Sequence, residues 1–126
     1  MKNSSLFGLV TSVVLAGASA AHATCYVSLN NGGEMFGMPL NSCLFMGTQE
    51  DFATWGAESC SGVAEVFVQP QYNDRIVSIM HSAGGRMTLM ENVMRDGNGV
   101  TFDMARGQVI DLDARWREAA TVLLCQ

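Results

Sequence analysis

Two stretches of this chain place a glycine pair between residues that favour β-strands. Gly32-Gly33 lies between the first and second predicted strands, and Gly84-Gly85 lies between the third and fourth. The four predicted strands are Cys25–Leu29, Glu34–Leu40, Ile76–Met80 and Arg86–Met90. Because glycine adopts positive φ without steric cost, each pattern predicts a β-hairpin. Two hairpins about fifty residues apart predict an internal repeat in a β-rich domain.

The rest of the chain adds short strand patterns and one candidate helix. Further strands are predicted at Val63–Val68, Val100–Met104, Gln108–Leu112 and Thr121–Leu124, the middle two as a pair around Gly107. Gln49–Glu58 fits a short helix capped by Thr48, or a loop that buries Phe52 and Trp55. Asn41–Gly47 is predicted to be irregular, Gln69–Asp74 to link two halves and Arg95–Gly99 to turn. Regular strand spacing favours an all-β sandwich with short helical turns. An α+β fold with a C-terminal helix at Asp113–Leu124 is the alternative.

The N-terminus has the pattern of a secretory signal peptide. Lys2 precedes the apolar stretch Leu6–Ala18, and Ala21-His22-Ala23 fits a small-residue cleavage site. The apolar stretch is shorter than the roughly 20 residues that span a membrane. We therefore expect residues 1–23 to be a signal peptide and residues 24–126 to form one secreted or periplasmic domain, with no membrane span.

All four cysteines, Cys25, Cys43, Cys60 and Cys125, follow the predicted cleavage site. An even number in a short secreted chain predicts two disulfides, whereas zinc sites need closely spaced pairs. Four cysteines allow three connectivities. Because domain termini often lie close together, we favour Cys25–Cys125 and Cys43–Cys60.

The predicted mature chain is acidic, with six arginines against twelve carboxylates. Its formal charge of −6 disfavours nucleic acid, whose phosphates it would repel. It is compatible with a basic protein partner.

The two halves resemble the two Greek-key motifs of a βγ-crystallin domain. Tyr26–Leu40 and Ile76–Leu89 resemble the openings of such motifs. Trp55 with Gly62–Val68, and Trp116–Leu124, resemble their closing segments. The family has an aromatic residue before the glycine pair, where this chain has Asn31 and Ala83. The resemblance implies a sandwich of two Greek keys.

Calcium sites in that family come from an Asn/Asp-Asn/Asp-x-x-Ser/Thr-Ser segment. The stretches matched to it here are Cys60–Glu65 and Arg117–Val122. Calcium requires several hard oxygen ligands, and Arg117 places a cation at a ligand position. We therefore expect both sites to be lost and predict no cofactor.

Catalytic and metal patterns are weak in this sequence. His81 is the one histidine after the cleavage site, lies beside Ser82 and fits an exposed turn, without a G-x-S-x-G motif. The methionines suit a hydrophobic core better than a copper site, because the sequence shows no short-spaced Met–His cluster. We predict neither an enzyme nor a bound metal.

The predicted function is non-catalytic binding of a protein partner. The candidate contacts cluster around the two hairpins: Asn30, Asn31, His81, Ser82 and Arg86, with Met87 and Met90 nearby if they face outward. The resemblance also brings in peptidase inhibition, for which Glu50–Glu58 and Arg95–Gly99 are the available segments. A toxin-immunity protein and a structural or calcium-stabilised envelope domain are the alternatives.

Overall fold

A computed structural model describes residues 23–30, 36–91 and 98–126. These residues form β-strands and short helical turns. The strands are β1 Thr24–Leu29, β2 Phe36–Pro39, β3 Ser42–Phe45, β4 Glu65–Val68, β5 Ile76–His81, β6 Gly85–Met90, β7 Gly99–Met104, β8 Val109–Asp111 and β9 Val122–Cys125. Residues 1–22 of the predicted signal peptide and the Asn31–Gly33 turn lie outside the described residues.

The strands form a sandwich of two sheets. One sheet has four strands in the order β2-β1-β5-β8, and the other has five in the order β4-β3-β9-β6-β7. Every pairing is antiparallel except that of β3 with β4, which is parallel. The prediction of an all-β sandwich is confirmed.

The sheet orders reveal two Greek keys that exchange one strand. In the first key, β1 and β2 form a hairpin, β3 crosses to the opposite sheet and β5 returns beside β1. In the second key, β6 and β7 form the hairpin, β8 crosses and β9 returns beside β6. The crossing strands β3 and β8 each complete the other key's sheet. This arrangement is βγ-crystallin-like, with β4 as an additional edge strand.

The predicted hairpin around Gly84-Gly85 is wrong. Ile76–His81 bonds to β1 and β8, whereas Gly85–Met90 bonds to β9 and β7 in the other sheet. Both edges of β5 are already occupied, so β6 has no free edge to pair with. Gly84, with φ of +82°, lies in the passage between the sheets. This passage is the boundary between the two keys.

Two other local predictions are also wrong, and the alternative fold is excluded. Val100–Met104 and Gln108–Leu112 do contain strands, but these lie in opposite sheets rather than pairing. Asn41–Gly47 contains β3, an inner strand that is buried along its whole length. Residues 113–121 form turns before β9, which excludes the alternative C-terminal helix.

Side chains that alternate along the strands fill two apolar clusters. The inner cluster lies between the sheets and includes Val27, Ile79, Leu89 and Leu123. The outer cluster, which includes Phe45 and Val122, lies on the outer face of the five-stranded sheet. As predicted for core filling, Met38, Met46, Met87 and Met104 are buried.

A helical segment covers the outer cluster. It consists of α1 Gln49–Asp51, a π-helical turn at Phe52–Gly56 and α2 Ala57–Ser59, and a single 3-10 turn follows at Pro70–Tyr72. The hydroxyl of Thr48 accepts a hydrogen bond from the amide of Asp51 at 3.1 Å, which confirms the predicted cap. Phe52 packs against the cluster, whereas Trp55 is 40% exposed.

Two disulfides, Cys25–Cys125 and Cys43–Cys60, match the favoured pairing. The first joins β1 to β9 across the interior, and the second fastens the helical segment to β3. Two disulfides indicate an oxidising compartment. No helix among the described residues is long and apolar enough to cross a membrane.

Candidate functional site

An apolar row crosses the outer face of the four-stranded sheet. Tyr26 pairs with Met80, and Met80 pairs with Val109, so the three side chains are neighbours on β1, β5 and β8. Successive side chains alternate between the faces of a strand. Because Val27 and Ile79 face the interior, Tyr26 and Met80 face outward. Val109 is 56% exposed, and the other two members are half-buried.

Gly37 continues this row onto the edge strand β2. It pairs with Tyr26, and a Cβ built at Gly37 would lie 2.9 Å from the Tyr26 ring. The aromatic ring therefore lies over the glycine backbone, in space that any other residue would occupy. The result is a low apolar strip that extends across all four strands.

The opposite face of the sandwich carries a similar row that is covered. Met90, Val122 and Phe45 are cross-strand neighbours on the five-stranded sheet. Phe52 of the helical segment packs on this row, with its ring 5.5 Å from that of Phe45. The helical segment protects one of two comparable apolar rows. The row on the four-stranded sheet stays accessible at Val109.

Polar residues surround the accessible row. The hydroxyls of Ser28 and Ser78 share a hydrogen bond beside it, and the exposed Asp111 follows Val109 on the same face of β8. An apolar centre with a polar rim is the usual composition of a protein–protein interface.

The predicted binding residues do not form one surface. Ser82 exchanges hydrogen bonds with Thr24 at the start of β1. Asn30 donates its amide to the carbonyl of Arg75 at the other end of this strand. Six residues of β-strand separate the two ends by about 20 Å. Arg86 lies on the outer face of the other sheet, where its guanidinium contacts Asp103 at 3.1 Å.

The interpretation of His81 as an exposed turn residue is wrong. It ends β5 opposite Cys25 and is only 1% exposed. Its Nδ1 accepts a hydrogen bond from the amide of Ala83 at 3.3 Å, and its Nε2 is buried without a partner among the described residues. Burial lowers the pKa of His81 because it disfavours the charged ring. In this position His81 cannot contact a partner.

Two further candidates are also placed differently from the predictions. Met87 points into the inner cluster, and Met90 is a member of the covered row. Residues 50–58 lie in the helical segment, so they do not present the extended backbone that a protease cleft would need. Most of Arg95–Gly99 lies outside the described residues.

The repeat also corrects the calcium alignment. Asp74 precedes β5 as Glu118 precedes β9, and both have φ near +60°. Asp74 donates its amide to Ala120, and Glu118 donates its amide to Ile76, so the two loops are symmetry-related. The segment equivalent to Arg117–Val122 is therefore residues 73–78, not Cys60–Glu65. The corrected segment matches the family pattern at Asn73, Asp74 and Ser78, with Val77 in place of Ser/Thr.

Residues 73–74 have features that suit a hard cation. The side-chain oxygen of Asn73 is buried without a hydrogen-bond partner among the described residues. Burial, and then the negative charge of Glu91, raise the pKa of Asp74. Both effects disfavour a bare carboxylate, and a calcium ion would offset them. Asn73 and Asp74 supply adjacent oxygen ligands for such an ion, whereas the Glu91 carboxylate already pairs with the guanidinium of Arg115 at 2.5 Å.

Comparison with known proteins gives little further information. No family model matches the chain, and no curated protein matches it. Among solved structures, the chain is similar to the N-terminal domain of protein S with a TM-score of 0.45 and 13% identity. That match covers 80% of this chain and 92% of the other.

Proposed function

We propose that this chain is a secreted or periplasmic, non-catalytic module that binds a protein partner through the four-stranded sheet. The observation that carries the proposal is the apolar row of Tyr26, Met80 and Val109. The comparable row on the other sheet is covered by the chain's own helical segment. Burying this apolar surface against a partner would favour association, offset in part by the freedom that both proteins lose on binding.

Charge indicates the kind of partner. The predicted mature chain carries a formal charge of −6, and Asp111 stands at the margin of the row. A partner with an apolar centre and a basic rim would complement both features. Complementary charge raises the association rate more than the affinity, and salt screens it. The two disulfides support this role, because a rigid scaffold loses little conformational freedom on binding.

A capture experiment with matched variants tests the proposal. Val109→Glu places a charge in the row, whereas Thr101→Glu places the same charge on an exposed strand position of the other sheet. We expect the unmodified chain and Thr101→Glu to retain the same protein from a native extract and Val109→Glu to lose it. Equal capture by all three chains would exclude this face.

The identity of the partner separates the narrower roles. Stoichiometric inhibition across a protease panel would identify a peptidase inhibitor. Capture of a toxin, together with loss of its activity, would identify an immunity protein. Turnover of a substrate by the purified chain would overturn the non-catalytic assignment.

A calcium-stabilised structural domain is the second candidate, and Asn73 is the observation that favours it. Its buried oxygen lacks a partner among the described residues and lies beside Asp74. Calcium at a hundred times its Kd would stabilise the fold by about 2.7 kcal/mol. Titration calorimetry with calcium checks this candidate, with Asn73→Ala as the variant that should lose binding. Absence of binding by the unmodified chain would exclude it.

A further inference from the structure

Strand register gathers sulfur and imidazole ligands at one end of the sandwich interior. Cys25 on β1 has Met38 as its neighbour on one side and His81 on the other. Cys125 on β9 has Met87 as its neighbour in the opposite sheet. All five side chains are buried. They are scattered through the sequence, so no short-spaced motif announces them.

His81 lies next to the Cys25–Cys125 disulfide. The two Sγ atoms are bonded to each other, and a ring nitrogen of His81 lies within 4.8 Å of both. Ligands at about 2.0–2.3 Å from a tetrahedral or trigonal metal are about 3.5–4 Å apart. Reduction would release the two sulfurs to move apart to this spacing around one ion, with the His81 nitrogen as the third ligand.

His81 supplies an independent indication of a ligand. Its Nε2 is buried without a partner among the described residues, and a buried polar atom in that state needs a physical explanation. Its other nitrogen, Nδ1, accepts one hydrogen bond, from the amide of Ala83 at 3.3 Å. Coordination through Nε2 would therefore break no hydrogen bond among the described residues.

We propose that Cys25, His81 and Cys125 bind copper(I) when the Cys25–Cys125 disulfide is reduced. Thiolate and imidazole ligands suit this soft cation, and the thioethers of Met38 and Met87 provide further soft donors beside it. Zinc would need a fourth ligand such as Cys, His, a carboxylate or water, whereas the neighbouring thioethers suit copper(I). The bound ion would replace the disulfide as the link between β1 and β9.

The metal site would form in two steps. A dithiol reductant transfers two electrons and two protons to the S–S bond, which breaks to two thiols, and the reductant becomes a disulfide. Copper(I) then binds the two sulfurs as thiolates, and their two protons pass to solvent. The disulfide and the copper complex are therefore alternative states of one site, independent of the proposed binding face.

The second disulfide provides a matched control. The double variant Cys43→Ala/Cys60→Ala keeps the proposed site. The double variant Cys25→Ala/Cys125→Ala keeps the other cysteine pair, Cys43 and Cys60, which is not grouped with His81. Both are reduced without oxygen and titrated with copper(I) against a chromophoric competitor. We expect the first variant to bind one copper(I) at least about tenfold more tightly than the second, because only the first has His81 beside its cysteine pair. Adding His81→Ala to the first should weaken binding by at least about 10–100-fold.

Folding is monitored in the same samples by near-ultraviolet circular dichroism. We expect copper(I) to restore the native signal of the reduced first variant, because the metal links the same two strands. Binding without recovery of that signal would show capture by an unfolded chain and overturn the proposal. Equal affinities for the two cysteine pairs, no loss with His81→Ala, or zinc binding in place of copper(I) would also overturn it.

Discussion

The two disulfides should contribute unequally to stability, and their sequence separations give the difference. Cys25–Cys125 closes a separation of 100 residues, whereas Cys43–Cys60 closes one of 17. In the chain-entropy model the longer loop is worth about 4.7 kcal/mol and a loop near 15 residues about 3 kcal/mol. Removal of Cys25–Cys125 should therefore cost about 1.5 kcal/mol more.

Paired alanine variants isolate this difference. All four cysteines are buried, so each double substitution removes two buried sulfur atoms and the packing losses largely cancel. Urea unfolding of Cys25→Ala/Cys125→Ala and Cys43→Ala/Cys60→Ala gives the two free energies. In thermal melts, the same difference corresponds to about 6–12 °C for a domain of this size.

An equal or reversed order would refute the entropic reasoning. That result would mean that the unfolded chain keeps structure near its termini, or that the helical segment depends on Cys43–Cys60 for more than loop closure. A loss of about 1.5 kcal/mol or more beyond that of the short bridge would support it.

Three further outcomes follow from the site geometry. Burial lowers the pKa of His81 in the folded chain, so on acidification the histidine of the unfolded chain is protonated first, and the free energy of unfolding should fall as the pH drops below about 6.5. His81→Gln should remove this pH dependence in urea unfolding, and an unchanged pH dependence would assign it to another group. Gly85→Ala should lower the free energy of unfolding by about 1–3 kcal/mol, because a Cβ at position 85 would lie 2.6 Å from Nε2 of His81. An unchanged free energy in urea unfolding would show that the imidazole does not lie against residue 85. If calcium raises the melting temperature, Asp74→Asn should reduce this increase, whereas Asp111→Asn should leave it unchanged. Loss of the increase in both variants would place the ion away from Asp74.

The sequence predicts most strands but not their partners. Gly84-Gly85 has the composition of a hairpin turn, and the strands on both sides of it form as predicted. Turn composition is local, however, whereas pairing depends on which strand edges are free. β1 and β8 occupy both edges of β5, so the chain passes to the other sheet at this point.

The spacing of Ile79 and His81 in the sequence indicates that His81 is buried. Ile79 and His81 are two residues apart on one strand, so the alternation that buries the first also turns the second inward. The cluster of Cys25, Met38 and His81 had no comparable sequence signal, because its members meet only through the register of three strands. Similarly, the apolar row is visible only when Val109 is known to pair beside Met80.

Photo-crosslinking tests the proposed binding face most directly. A benzophenone side chain is introduced at Val109 in one chain and at Thr101 in another, and each is irradiated with the captured partner. The account predicts a covalent adduct from position 109 and none from position 101. An adduct from position 101 alone, or equal adducts from both positions, would contradict recognition through the four-stranded sheet.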